Sequence, residues 1–323
     1  MSERAVSRAP FRLSRRARPD PTGDSGPGSG DDVRLVVAHY GVEVVVRAAD
    51  GTRSRLAVPR NCSLLVGDRV RLESGAPVVL PSERVLRRRD RRGRTRSVAA
   101  NLDVMGIVLA PIPHTPDAFV DRALVGARAA GIAALLVINK SDLPGATELA
   151  ARMREDFPGV EPVFEVSAGR GTGLSQLQDH LARGLRGVFV GVSGVGKSSL
   201  VNALVGDPAL AVGEINPVSG LGRHVTSNAT LHALPGGGEL IDTPGFRDFG
   251  PVSVTAVDLA RFFPGFETAL ETGCHYRDCR HRAEPGCSVI AAVAADAIPA
   301  ARHTAYLTLL VELEQAEQQA RGY

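Results

Sequence analysis

Gly191-Val192-Ser193-Gly194-Val195-Gly196-Lys197-Ser198 matches the phosphate-binding loop G-x-x-x-x-G-K-[ST]. It follows the apolar run 188–190 and precedes a helical pattern over 199–205, the strand–loop–helix context that this loop requires. Backbone N–H groups of such a loop surround phosphate oxygens, and the helix N-terminus adds positive potential. We therefore expect residues from Gly191 to Ser199 to bind phosphate. Within this segment, Lys197 reaches the β- and γ-phosphates as a catalytic residue, and Ser198 ligates Mg²⁺.

A second motif predicts that the base of the nucleotide is guanine. Asn139-Lys140-Ser141-Asp142 follows the apolar run 133–138 and fits the N-K-x-D element of GTP-binding proteins. The Asp142 carboxylate can accept hydrogen bonds from N1–H and the exocyclic amine of guanine, neither of which adenine offers. Sites built on such bonds discriminate by about 10⁴-fold or more. The Lys140 stem is expected to lie against the nucleotide and Asn139 to brace neighbouring loops, while Ser167-Ala168 fits the loop that contacts the guanine carbonyl.

A third motif, Asp242-Thr243-Pro244-Gly245, looks like the D-x-x-G switch element after a short strand. Asp242 is expected to hold Mg²⁺, directly or through water, and the Gly245 N–H to sense the γ-phosphate. Thr226 is the best candidate for the switch threonine that completes the Mg²⁺ ligands. The predicted Mg²⁺ set is therefore Ser198, Thr226 and Asp242.

The lysine content supports two of these motifs. Of the 38 basic residues, 36 are arginine, and the two lysines are Lys140 and Lys197. A lysine retained in such a chain is expected to need a compact ammonium on a flexible stem, which a guanidinium cannot replace.

The rest of the chain divides by pattern into further segments. Residues 1–30 combine six arginines with Pro, Gly and Ser, which predicts a disordered basic tail. Short β-rich runs from Val33 to about Leu80 predict an OB-like, RNA-binding β-barrel domain over residues 31–95. Alternating strands and helices over 96–250 predict an α/β P-loop domain, and 251–323 are predicted to be helical. The segment Arg84 to Arg96 holds eight arginines and one aspartate, so we favour contact with a phosphate backbone over a solvated loop.

The C-terminal segment contains a candidate metal site. Cys274-x₄-Cys279-x-His281-x₅-Cys287 supplies three thiolates and one imidazole, a common closed tetrahedral zinc set. Four protein ligands leave no open position, so this zinc is predicted to be structural. His275 is an alternative ligand, and Cys62 is predicted to be a small buried apolar residue. Tyr306, Leu309, Leu310 and Leu313 lie at helical spacing and are predicted to form a core face.

The order of the motifs differs from that of ordinary GTPases, because Asn139 and Ser167 precede Gly191. Together with the barrel-like N-terminus, the segment 99–103 (Ala-Ala-Asn-Leu-Asp), Gly222-Arg223-His224 and the metal cluster, this order resembles the RsgA/YjeQ family of circularly permuted GTPases. The resemblance covers about residues 31 to 315. It implies a GTPase that assists small ribosomal subunit maturation, uses GTP/GDP, Mg²⁺ and one structural Zn²⁺, and is stimulated by rRNA. The family usually has a run of threonines after Gly-Arg-His, whereas this chain has Val225-Thr226-Ser227.

Phe246 occupies the place where many small GTPases carry the glutamine that positions the attacking water. Slow intrinsic hydrolysis is therefore expected. His224 is the candidate for orienting this water, as the resemblance also implies, and a structural histidine is the alternative. An RNA-binding assembly chaperone, in which GTP acts only as a conformational ligand, is the alternative function.

Composition and cysteine use predict a cytoplasmic protein without a membrane partner, and we expect a monomer. Apolar runs fall short of the roughly 20 residues that span a bilayer. The Arg-rich N-terminus lacks the apolar core of a signal peptide, although an organelle transit peptide would share its composition. Thiolate-bound zinc suits a reducing compartment.

Overall fold

The structure, a computed structural model, describes residues 33–60, 62–73, 76–89, 95–206, 229–243 and 254–321. The strands β1 to β13 span, in order, Val33–His39, Glu43–Arg47, Arg53–Ala57, Arg69–Glu73, Ala76–Val79, Leu86–Arg89, Thr95–Ala99, Val104–Leu109, Ala133–Ile138, Val163–Glu165, Arg186–Val190, Thr230–Ala233 and Glu239–Asp242. The helices α1 to α8 span Phe119–Ala129, Ala146–Asp156, Leu174–Leu181, Lys197–Val205, Leu259–Phe262, Glu267–Thr272, Ser288–Ala294 and Ala300–Arg321.

The central sheet is parallel in the order β10-β9-β8-β11-β13, and β12 adds an antiparallel strand beside β13. Strand β8 is buried at every position because helices cover both faces of the sheet. Its side chains alternate, so that Met105 and Ile107 enter one core with α1 and α2. Val104 and Val108 enter the opposite core with α3 and α4. The predicted α/β architecture is confirmed for this part of the chain.

The N-terminal strands surround a small core of their own. Strand β1 pairs with β2 and with β4, β2 pairs with β3, and β4 pairs with β5. Their apolar side chains converge on a cluster of Val36, Val44, Val46, Val58, Leu64 and Val70. A single pairing, Ala38 with Thr230, joins β1 to β12 of the central sheet. The N-terminal strands therefore extend the central sheet instead of standing apart from it.

The basic segment is a β-hairpin and not a simple loop. Strands β6 and β7 pair with Arg88 opposite Arg96, and the Leu86 side chain is only 1% exposed. The partly exposed Arg84 side chain turns back onto the protein, where its Nε donates to the Leu102 carbonyl at 2.6 Å and its Nη2 to Asp103 at 3.0 Å. At least one of the eight arginines therefore serves the internal structure. Residues 90–94 lie outside the described part of the chain.

Glu239, at the start of β13, links the N-terminal strands to the central sheet. Its carboxylate accepts hydrogen bonds from Arg47 of β2 and, at 2.8 Å, from Nε of Arg186. Arg186 also donates to the Gly67 carbonyl at 3.1 Å. Burial opposes ionisation of Glu239, but the charge of Arg186 and the hydrogen bonds from both arginines outweigh it and lower the pKa of Glu239.

Replacing Glu239 with glutamine is expected to lower the free energy of unfolding at pH 7 by about 3 kcal/mol, because two arginines lose their anion. The folded pKa lies below the unfolded one, so this stabilisation is present at neutral pH and is lost as the pH falls through the folded pKa. Denaturant unfolding at stepwise lower pH should therefore show the difference shrinking. Glu148→Gln, on the exposed surface of α2, is the control, and a pH-independent difference would contradict the role of charge.

The C-terminal helices form a third core that includes one residue of the central domain. Tyr306, Leu309, Leu310 and Leu313 of α8 are at most 5% exposed, which confirms the predicted core face. Val125 of α1 packs in the same cluster. Ion pairs on either side, Arg122 with Glu312 and Arg128 with Glu267, fasten α1 to the C-terminal helices. Among the described residues, we find no helix with the length and hydrophobicity that crossing a membrane requires.

Candidate nucleotide and metal sites

The loop from Gly191 to Gly196 connects β11 to α4 and is packed closely against its neighbours. A side chain at Gly191 would place a Cβ 2.5 Å from the Val108 carbonyl oxygen of β8. Gly196 has a φ of +94°, and a Cβ there would lie 2.4 Å from Nδ2 of Asn139. Both positions therefore require glycine. Val195 is fully buried, so its side chain packs in the core and only its backbone can face a ligand.

The Lys197 ammonium lies against the same loop at the start of α4. Its Nζ donates to the Gly191 carbonyl at 2.6 Å and to the Val192 carbonyl at 3.0 Å. This geometry places a positive charge at the loop whose N–H groups are suited to phosphate, beside the N-terminus of α4.

Asn139 joins three of the predicted motifs. Its Nδ2 donates to the Val195 carbonyl at 2.9 Å, and its Oδ1 accepts from the Ala168 N–H at 3.1 Å. Lys140 makes a parallel connection, because its Nζ donates to the carbonyls of Ile112 at 2.7 Å and Gly194 at 2.8 Å. The Ile112 contact could not be predicted from the sequence, because a backbone carbonyl has no side-chain signature. The phosphate and base motifs thus form one connected site.

Asp142 is held as an acceptor at the edge of this site. The Ser167 hydroxyl donates to Asp142 Oδ1 at 2.5 Å, and Arg170 Nε lies 3.8 Å from Oδ2. The hydrogen bond from Ser167 is the main reason that the pKa of Asp142 is lowered. Ser141 packs nearby, where its N–H donates to the Val166 carbonyl at 3.0 Å. An ionised carboxylate accepts hydrogen bonds only, as recognition of guanine N–H groups requires.

Asp242 ends β13, next to the strand that carries the phosphate loop. Burial raises the pKa of Asp242, while the positive charges of His232 and Lys197 act to lower it. The half-buried Asp242 carboxylate and the Ser198 hydroxyl are oxygen ligands, the type that Mg²⁺ prefers. Ser198 and Ser199 follow Lys197 in α4. The other predicted switch residues, His224, Thr226 and Gly245, lie outside the described residues.

Comparison with known proteins fits this geometry. A family model described as RsgA GTPase matches residues 79–251. The small ribosomal subunit biogenesis GTPase RsgA of Pseudomonas fluorescens SBW25 is 41% identical over 308 residues, covering 91% of this chain and 88% of that protein. The protein of the same name from strain Pf-5 is 42% identical over 308 residues, covering 90% of this chain and 88% of that protein. The chain belongs to the RsgA GTPase family.

Solved structures give the same fold for this RsgA family member. YjeQ from Thermotoga maritima matches with a TM-score of 0.67 at 28% identity, covering 87% of this chain and 98% of that one. YloQ, described as a circularly permuted GTPase, matches with a TM-score of 0.66 at 20% identity, covering 91% of this chain and 98% of the YloQ chain. The predicted permuted GTPase fold is thereby confirmed. Membership of the RsgA GTPase family confirms the predicted GTP-hydrolysing activity.

The Cys/His cluster of this family member has the geometry of a metal site. The donor atoms of Cys274, Cys279, His281 and Cys287 all lie within 4.8 Å of one another. His281 Nδ1 is 3.5, 3.6 and 3.3 Å from the three sulfurs in that order. Tetrahedral zinc with bonds of about 2.3 Å to sulfur and about 2.0 Å to nitrogen requires N···S separations of about 3.5 Å. The donor set therefore fits zinc. His275 is exposed and lies outside this set.

Proposed function

We propose that this chain hydrolyses GTP to GDP and phosphate while bound to the small ribosomal subunit, late in its maturation, with rRNA stimulating turnover. The nucleotide assignment rests on the contacts of Asn139. Its Nδ2 donates to the phosphate loop, and its Oδ1 accepts from the Ser167-Ala168 loop. The ribosomal partner is supported by relatives named small ribosomal subunit biogenesis GTPase, one of which is 41% identical over most of the chain.

The phosphate groups are assigned to the segment from Gly191 to Ser199, and guanine to Asn139–Asp142 with Ser167 and Ala168. Mg²⁺ is assigned to Ser198, Asp242 and Thr226, and the γ-phosphate sensor to Gly245. When bound, Mg²⁺ neutralises charge on the phosphate oxygens. Lys197 adds a fixed positive charge at the loop, while Asn139 and Lys140 hold the base site at a constant distance from it.

Zinc is assigned to Cys274, Cys279, His281 and Cys287 as a structural ion. Bound zinc supplies a cross-link between the loop that follows α6 and the start of α7, since its ligands lie on both. The buried neighbours of the cluster, Phe266 and Tyr306, pack around the His281 ring at 6.4 and 6.0 Å between centroids. The cluster thereby completes the third core.

The RNA-binding surface is assigned to the N-terminal strands and the basic hairpin β6–β7. Pairing of β1 with both β2 and β4 is the arrangement expected of an OB-like barrel over residues 31–95, ahead of a GTPase domain at 96–250 and a zinc domain at 251–323. Arg88 and Arg96 lie opposite each other in this strand pair, so both contribute positive charge to the surface that we assign to rRNA phosphates. We infer a monomer that acts in the cytoplasm, where small subunits mature.

Hydrolysis distinguishes this proposal from a chaperone that uses GTP only as a ligand. In a single-turnover assay with small subunits in excess, His224→Ala is expected to slow hydrolysis by about 100-fold, the scale of general acid–base catalysis. GTP binding, measured separately, should be unchanged. Full subunit-stimulated turnover by the variant would show that His224 is structural. Failure of the wild type to hydrolyse GTP in this complex would favour the chaperone.

A further inference from the structure

A short loop of the zinc cluster exposes an aromatic side chain between two of the proposed ligands. Residues 275–278 connect Cys274 to Cys279, whose sulfurs belong to the same four-atom cluster. Both ends of the loop are therefore tied to one metal position. The His275 N–H donates to the Gly286 carbonyl at 3.0 Å, and the Cys279 N–H donates to the Tyr276 carbonyl at 3.3 Å. These contacts give the loop a defined conformation.

Tyr276 is displayed by this loop and does not contribute to the core. Its side chain is 46% exposed, whereas Tyr306 of the same region is 1% exposed. The His275 ring meets the Tyr276 ring edge to face, with 4.7 Å between centroids and an interplanar angle of 89°. This contact orients the Tyr276 ring while leaving almost half of its surface in solvent.

Charges around the loop are nearly balanced. Exposed Arg277 is followed by exposed Asp278, and Arg282 is paired with Glu314. Glu284 accepts the N–H groups of residues 280 and 282 at 2.7 Å each, so its carboxylate serves the loop itself. Binding to duplex RNA through phosphates needs many cationic contacts, which this loop does not offer. A partner here has to be recognised mainly through the aromatic ring.

We propose that Tyr276 stacks on an unpaired nucleobase of the RNA to which the protein binds, with Arg277 beside the adjacent phosphate. This inference rests on the proposed ribosomal function and specifies what the zinc domain recognises. Proteins contact unpaired RNA bases by stacking them on aromatic side chains. Such stacking tolerates any sequence, because every base has a π-face. A ring on a metal-fixed loop loses little freedom when it binds, which favours the interaction.

The test compares Tyr276→Ala and Tyr276→Phe for binding to purified small subunits in the presence of a non-hydrolysable GTP analogue. Stacking contributes enough per base that the alanine variant should bind about 5- to 150-fold more weakly. The phenylalanine variant, which keeps the ring, should bind within about twofold of the wild type. Val257→Ala, at a residue that is 69% exposed, is the control. Zinc content and thermal stability of each variant report an intact cluster.

Salt dependence and cross-linking separate stacking from other contacts. Tyr276→Ala should leave the slope of log K against log[salt] unchanged, whereas Arg277→Ala should reduce it by about 0.7. Ultraviolet cross-linking should join the Tyr276 peptide to an rRNA nucleotide. Equal losses for the alanine and phenylalanine variants, a cross-link to a ribosomal protein, or an unchanged alanine variant would each overturn the proposal. Wild-type binding and stimulated turnover, measured in parallel, test the ribosomal assignment independently.

Discussion

Replacing Asp142 with asparagine is expected to weaken GTP binding by about 100-fold or more while the protein stays folded. The carboxylate is held ionised by the Ser167 hydroxyl at 2.5 Å, so it accepts from both N–H groups of the guanine edge. Asparagine replaces one carboxylate oxygen with an NH₂ group. This donor then faces an N–H donor of guanine, so one hydrogen bond is lost. Equilibrium binding of a fluorescent GTP analogue measures the loss.

Xanthosine triphosphate provides the matched control for this substitution. Xanthine has a carbonyl where guanine has its exocyclic amine, so it pairs with an amide donor at position 142. The asparagine variant should therefore bind xanthosine triphosphate better than GTP, reversing the preference of the wild type. A variant that loses affinity equally for both nucleotides would mean that Asp142 supports the loop and does not read the base.

Replacing Cys287 with alanine is expected to abolish stoichiometric zinc binding and to unfold the C-terminal helices. The Cys287 side chain is 4% exposed and lies in the third core with Phe266 and Tyr306. Structural zinc contributes about 10–16 kcal/mol to folding in small zinc domains, which exceeds what this small core can supply alone. Zinc analysis and limited proteolysis of the C-terminal region measure the two effects.

Cys62→Ala is the control for Cys287→Ala, since Cys62 contacts His39 in the N-terminal strands at 3.4 Å and is remote in sequence from the cluster. It should retain full zinc content and the wild-type proteolysis pattern. GTP binding by the Cys287 variant should persist, because every residue assigned to the nucleotide and Mg²⁺ precedes the C-terminal helices. Retention of one zinc per chain by the Cys287 variant would contradict the assigned ligand set.

The elements around the nucleotide site could be predicted from the sequence because local pattern and tertiary environment agree there. The run 133–138 is continuously apolar, and it forms a strand over the same residues. The glycines of the phosphate loop are required by close backbone contacts that the motif encodes. Lys140 and Lys197, singled out by an arginine-rich composition, both lie in the site and donate to carbonyls of the phosphate loop.

Other elements could not be predicted because their stability comes from distant contacts. Strands β6 and β7 were not predicted, because their arginine-rich segment has no strand pattern. They pair around buried Leu86 and Ala99. Strand β12 was also missed, although the Pro-Gly-Gly-Gly run at 235–238 signals the turn into β13. The junction of Arg47, Arg186 and Glu239 joins residues up to 192 positions apart, and side-chain pairs at such separation leave no local pattern.

The most direct test of the central claim is GTP turnover by the purified protein, alone and with purified small ribosomal subunits, with ATP as the nucleotide control. We predict slow intrinsic turnover, stimulation by about two orders of magnitude or more on adding subunits, within the range of partner-assisted GTPases, and no ATP hydrolysis. Absence of stimulation while guanine-nucleotide binding is intact would contradict the proposed ribosomal partner and leave a permuted GTPase that acts on another RNA.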